Sequence, residues 1–332
     1  CLEGHCYIAE DRPGDSRRER GVLMDNVLFV PSTHELDWVQ EILPGTSPAE
    51  LPVAGRRVIN YAIERAQKFG VMFTEVLDWR FSLNLADEFA DMTRTGCPVF
   101  YLKGEGPVPK GLKDIEGYSS PLTSVINDGL VVVWGIALSV HTADDVSLEP
   151  VSDEECANTP IGVYRREGGR WMRVIPGGMA LSDVKAWHQL NFTVLSRPDL
   201  FTVPGYSSEK GVHLGSNVIL EHGTSVKPPV LLDDNTWCAR NVRLEGNVVV
   251  ESGSFVSEGA RLSNTVVGYD TFIGKGLDLD GKIVIGRRVI DADTGTWVDL
   301  EEPGLARRIP TGLGWIRGIW RFLRGRSSGR RG

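Results

Sequence analysis

The chain has 332 residues, a formal net charge of −8 and five scattered cysteines, an odd number with no CxxC pair. Its length suits two domains with full-sized cores. The cysteine usage points to a reducing cytoplasm and away from a disulfide framework or a zinc site, and the absence of any run of ~20 apolar residues leaves nothing expected to span a bilayer.

Residues 1–23 carry many charges and no clear period. They are expected to form a disordered leader or to lie upstream of a natural start at Met24; no apolar stretch follows a basic start, so no secretory signal is expected. From residue 24 to about 200 the pattern alternates between short apolar runs (Val27–Val30, Val71–Leu77, Val99–Leu102, Leu130–Trp134, Ile161–Tyr164) and helical segments. One helix is predicted from Val58 to Ala66, ending by Gly70, and a second from an N-cap at Ser82 to Gly96. A third is predicted over Ser182 to Leu195. Strands alternating with helices predict a largely parallel three-layer sheet, with ligands at the carboxyl ends of strands, in the loops after Val30 and Trp134. Gly104-Glu-Gly106 and Gly168-Gly169 read as turns, and no glycine-rich phosphate motif occurs.

After a connector over Asp199–Tyr206, every sixth residue is apolar from Leu214 through Leu220, Val226, Leu232, Cys238, Leu244, Val250 and Val256 to Leu262. The register slips by one and resumes at Val267, Ile273, Leu279 and Ile285. A second, mostly small or β-branched series stands two residues earlier, at Val212, Val218, Thr224, Val230, Thr236, Val242 and Val248. Gly215, Gly268, Gly274 and Gly286 follow their hexad residue, where corners need small or φ-permissive residues. A period of six fits neither a helix (about 3.6) nor a flat strand (about 2). It suits a coil of three short sides, each with one inward side chain, stacked into a β-helix over 207–300. A β-sandwich would instead show turns at roughly 8–12-residue spacing without sustained phase.

Val289 to Leu300 reads as a closing hairpin around Asp293-Thr-Gly295. The stretch 301–332 is a basic amphipathic tail: eight arginines and no acid follow Glu302, so the preceding chain carries the balance, −16. An acidic body of this kind does not look like a general nucleic-acid binder. Trp315, Ile319 and Leu323 share a helical face with Phe322, beside Trp320 and flanked by Arg317, Arg321 and Arg324. Such a tail suits an anionic membrane surface, making the protein cytoplasmic and peripheral at the inner face of the membrane; packing on its own coil, on a second subunit or on a partner enzyme is the competing reading.

The segment Leu51-Pro-Val-Ala-Gly-Arg-Arg-Val-Ile-Asn-Tyr-Ala-Ile-Glu-Arg65 resembles a stretch of the sugar-phosphate nucleotidyltransferases (NDP-sugar pyrophosphorylases), in which a Leu-Pro-Val-x-Gly-Lys-Pro-like run enters a helix ending Ile-Glu. Asp183-Val-Lys with Leu190-Asn191 and the Pro-Gly-Tyr connector is similar to that family's passage between domains. The resemblance covers residue 26 to about 300. It implies a Rossmann-like α/β nucleotidyltransferase domain followed by a left-handed parallel β-helix of hexapeptide repeats, and a role in sugar-nucleotide or surface-polysaccharide metabolism.

The family's reaction joins a nucleoside triphosphate to a sugar 1-phosphate, which requires cations, a glycine-rich loop and aspartates on Mg²⁺. Here the loop after Val30 has one glycine (Gly45), no Lys or Arg, and four acids (Glu35, Asp37, Glu41, Glu50); Pro48 or Ala49 stands where the lysine would fall. The family's Gly-Asp appears as Gly135-Ile136, and isoleucine cannot hold a metal. The acids beyond it, Asp144 and Asp145, read as a solvated loop. The expectation is therefore an inactive or weakly active protein acting by sugar-nucleotide binding or regulation, with no catalytic or metal residue assigned, and Mg²⁺ implied only if the transferase activity survives. By resemblance, Pro52, Gly55, Arg56, Gly135 and Asp183 are the ligand-binding candidates, Arg56 and Arg57 being open to an anionic ligand or simply solvated. The β-helix implies a homo-oligomer. An acyltransferase using His213 or His222 as general base is the alternative, although both fall outside the inward series; an active pyrophosphorylase with an atypical site is a further one.

Overall fold

A computed structural model describes residues 26–68, 71, 73–94, 98–116, 129–138, 146–209 and 211–310. The calls on 1–23, on Asp144 and Asp145, and on the tail residues Trp315 to Arg324 lie outside these. Seven strands make one mixed sheet: β1 (Asn26–Val30), β2 (Phe73–Asp78), β3 (Val99–Lys103), β4 (Val131–Trp134), β5 (Ser147–Pro150), β6 (Gly162–Glu167) and β7 (Arg170–Ile175). Their order is β3-β2-β1-β4-β6-β7-β5. The first four are parallel, and the last three run antiparallel to their neighbours.

The sheet is thus parallel over only four of its strands. Gly168 and Gly169, both at positive φ, make the two-residue turn that returns β6 as β7, and this hairpin makes that edge antiparallel. Alternation along β1 and β4 supplies two buried faces. Val27, Phe29, Val131 and Val133 face α1 (Val58–Lys68), α2 (Leu83–Arg94) and α3 (Val184–Ser196); Leu28, Val30, Val132 and Trp134 pack with Leu112, Ile115 and Cys156 of two short helices.

Beyond residue 211, thirteen short strands fall into three parallel sheets. Each pairs with the strand of the next coil, Val212 with Val230, Val230 with Val248, then Val248 with Thr265, so coils of eighteen residues give way to coils of seventeen. Leu232, Cys238, Leu244, Val250, Val256, Leu262, Val267 and Ile273 are fully buried inside the stack. Leu220 is 43% exposed because its strand is the sheet's first and lacks a neighbour on one side. The last inward residue is Val284, which pairs with Val267; Ile285 is one place too late, since the turn at Gly281 shortens a second coil.

Each corner of the interior coils carries a left-handed residue: Asn217, Asn235, Gly253 and Asp270 on one, Gly223, Asn241, Gly259 and Gly276 on the next, and Asn247 (with Gly246 before it), Asn264 and Gly281 on the third. Asn is the non-glycine residue best suited to that region, and Asn247 Nδ2 donates to Asn264 Oδ1 of the next coil (3.1 Å). The glycines following hexad residues mostly serve another purpose. Of the four, only Gly286 has positive φ; at Gly274 a Cβ would lie 2.2 Å from the Gly304 carbonyl oxygen, so the requirement there is space. The stack is closed by the hairpin of Arg288–Asp291 with Trp297–Asp299 and by Ala306–Arg308, which pairs antiparallel with Thr271–Ile273.

One side of the stack is apolar outside as well as inside. Leu231, Val249, Val266, Ile283 and Ile290 point away from the coil interior and join the same core as α1, α3 and Trp187. The two halves of the chain therefore share a core.

Candidate functional site

The chain runs from β1 to β2 and β3 on one side, then crosses back to β4 on the other side of β1. That reversal leaves a crevice at the carboxyl ends of β1 and β4, where open α/β sheets bind ligands. A cleft of about 300 Å³ occupies it. Thr33, His34 and Glu35 come from the loop after β1, Trp134 from the end of β4, and Lys110, Asn158 and Thr159 from the opposite rim. Gly135 follows Trp134 with φ +69, and its N–H donates to the Val30 carbonyl (2.9 Å). A Cβ there would come within 2.8 Å of Ile161, so the strand end can turn only with glycine. Ile136 is buried in the core.

The loop after β1 is held by Asp78, the last residue of β2 and fully buried. Its carboxylate accepts hydrogen bonds from Ser32 Oγ, Ser47 Oγ (2.6 Å), the Tyr101 hydroxyl (3.1 Å) and the Arg80 N–H (2.9 Å). Three of the loop's four acids have structural partners. Glu35 accepts the Ile161 N–H (2.9 Å), Asp37 pairs with Arg80 (2.5 Å), and Glu50 accepts the Ser47 N–H (3.2 Å) and the Ser82 hydroxyl (2.7 Å). Of the four acids only Asp37 meets a cation among the described residues; Glu35, Asp37 and Glu41 stay exposed, and Glu35 lines the cleft. Arg80 and Lys110, neither singled out from sequence, bring positive charge to the loop and cleft. Arg80 pairs with Asp37 and is not part of the lining, in which Lys110 is the only Lys or Arg. The Thr33 hydroxyl and Arg80 Nη1 are buried without a hydrogen-bond partner among the described residues, and the first of these leaves unmet polar capacity in the cleft lining. No group of three His, Cys, Asp or Glu side chains among the described residues is arranged to hold a metal.

The other ligand candidates gather elsewhere, at the junction with the stack. The Pro52 carbonyl accepts Trp187 Nε1–H (2.7 Å), and the Ala54 N–H donates to Asn191 Oδ1 (2.8 Å). Gly55 (φ +81) donates its N–H to Glu251 Oε1 (3.1 Å) and lies against Pro204, where a Cβ would be 2.5 Å away. Arg56 pairs with Glu64 (2.7 Å), donates to the Thr202 carbonyl (3.1 Å) and stacks over Tyr61. Arg57 pairs with Glu88. Asp183 caps α3 by accepting the Ala186 N–H (2.7 Å). The structure thus brings Pro52, Gly55 and Arg56 together at the junction and leaves Gly135 beside the cleft; Asp183 opens α3, the helix that carries Trp187 and Asn191.

His213 is half-buried on the first coil, where burial lowers its basicity, and His222 is exposed at a corner. No protein-family model and no curated protein matches the chain. Among the described residues no helix is long and apolar enough to cross a membrane.

Proposed function

We propose that the chain is a nucleotidyltransferase-like protein that binds a sugar nucleotide or sugar phosphate in the switch-point cleft and does not transfer nucleotides efficiently. The observation that carries this reading is the cleft's polar lining, with the unmet Thr33 hydroxyl in it and a single lysine, Lys110. Transfer from a nucleoside triphosphate concentrates several phosphate charges, and one lysine with Glu35 beside it offers too little compensation. In this reading the three-sheeted stack is a left-handed β-helix serving as a rigid base and oligomerising surface, and the arginine-rich tail meets a membrane surface or a partner enzyme of polysaccharide assembly.

Two measurements test it. A thermal-shift screen with UDP- and GDP-sugars, sugar phosphates and nucleoside triphosphates should raise the melting temperature with at least one sugar-bearing ligand, and Lys110→Ala should abolish that shift; no shift with any of them refutes binding. Pyrophosphate release from a triphosphate panel with mixed sugar 1-phosphates and Mg²⁺ should stay near background. Brisk turnover would refute the inactive reading.

A further inference from the structure

The corner following the docked side of the stack holds Gly215, Asp233, Glu251 and Gly268 on four successive coils. The ladder from Gly215 N to Leu232 O, Asp233 N to Val250 O, Glu251 N to Val267 O and Gly268 N to Val284 O fixes that alignment. Asp233 and Glu251 therefore stand one rung apart, about 4.8 Å between backbones, and both are buried, Glu251 completely.

Few groups can compensate two negative charges there. The backbone N–H groups of Asp234 and Ser252 lie near Asp233 and favour its charged form. Glu251 Oε1 accepts the Gly55 N–H from the α/β half. Glu251 Oε2 has no geometrically sound partner among the described residues, with the Tyr269 phenol as its neighbour on the next coil. From the α/β side the Tyr61 phenol faces the pair, its hydroxyl already donated to the Ala54 carbonyl (2.9 Å). The guanidiniums in the vicinity, Arg56 and Arg57, are paired with Glu64 and Glu88. Leu231 and Pro204 close the remaining space around Gly55.

An ionised carboxylate beside a second one, without a cation and shielded from solvent, is strongly disfavoured, and protonation is the cheapest relief. We propose that Glu251 is a proton-dependent latch between the two halves: neutral when they are closed, and loosening the contact at Gly55 when it ionises. Burial first, and Asp233 second among the raising causes, push this carboxyl up to about 8, so the transition falls within an ordinary buffer range. The proposal is independent of what occupies the cleft.

The test compares the full chain with Glu251→Gln, which keeps the shape and the acceptor for Gly55 but cannot ionise. Melting temperature is followed from pH 6 to pH 9, with amide exchange read on the peptide containing Gly55 relative to one from β1. The wild type should lose several degrees over this range while Gly55 exchange rises against the reference, and Glu251→Gln should melt higher and show neither trend. Asp233→Asn provides a second variant, expected to shift the wild-type transition to lower pH. Parallel pH profiles for wild type and Glu251→Gln would overturn the proposal. So would abolition of the wild-type trend by millimolar Ca²⁺ or Mg²⁺, which would mean that the pair holds a metal cation.

Discussion

Replacing Asp78 by alanine tests whether one buried carboxylate organises the cleft loop. Asp78 is fully buried and accepts four hydrogen bonds, from two serine hydroxyls, a phenol and a backbone N–H. Ser32 and Ser47 are themselves fully buried, so removing the acceptor strands their hydroxyls. Each unsatisfied buried donor costs about 1–3 kcal/mol, and partial hydration of the vacated space lowers the total. The expected destabilisation is roughly 3–6 kcal/mol, a large share of the ~5–15 kcal/mol that holds a domain together. Urea unfolding followed by tryptophan fluorescence measures it. Ser47→Ala alone removes one donor while leaving the carboxylate with three, and should cost only about 1–2 kcal/mol. If Asp78→Ala unfolds within about 1 kcal/mol of the wild type, the carboxylate does not anchor this loop and the reasoning fails.

The other expectations concern the stack and the junction. Asn235 sits exposed at φ +57, so Asn235→Gly should be nearly neutral, whereas Asn235→Val should cost about 1–3 kcal/mol by urea unfolding. Gly274→Ala places a methyl 2.2 Å from a backbone oxygen, and should free the Ala306–Arg308 strand for cleavage in limited proteolysis without disturbing the seven-stranded sheet. His188 Nε2–H donates to the Asn264 carbonyl (2.7 Å), and burial lowers its pKa below the ordinary 6.5. A histidine held neutral in the fold stabilises above its unfolded pKa and loses that contribution as pH falls. The wild type should therefore lose stability relative to His188→Gln below pH 6.5, at up to about 1.4 kcal/mol per pH unit, and equal slopes in thermal melts would count against a buried neutral imidazole.

The six-residue phase was legible in the chain because each inward side chain meets others at fixed offsets, one coil apart, so the packing rule is written locally. The apolar triplets Val230-Leu-Leu232 and Val248-Val-Val250 also carried, unread, the signal that one side of the stack is covered outside as well as in. The strands β1 to β4 and the three long helices were likewise visible as runs with periods of 2 or 3.6. The antiparallel edge was not, because β5 is short, exposed and charged, and nothing in its own sequence says what it pairs with.

The functional residues divide the same way. Sequence alone settled that the loop after β1 lacks lysine and arginine and that isoleucine stands after Gly135. Only the folded chain decided that Glu35, Asp37 and Glu50 have partners, Asp37 an arginine, and that Lys110 supplies the positive charge lining the cleft. The same holds for Gly55 and Glu251, 196 positions apart, which meet at the junction of the two halves. Periodic burial is a property of neighbours along the chain, whereas a carboxyl's ionisation depends on which distant surfaces exclude water from it.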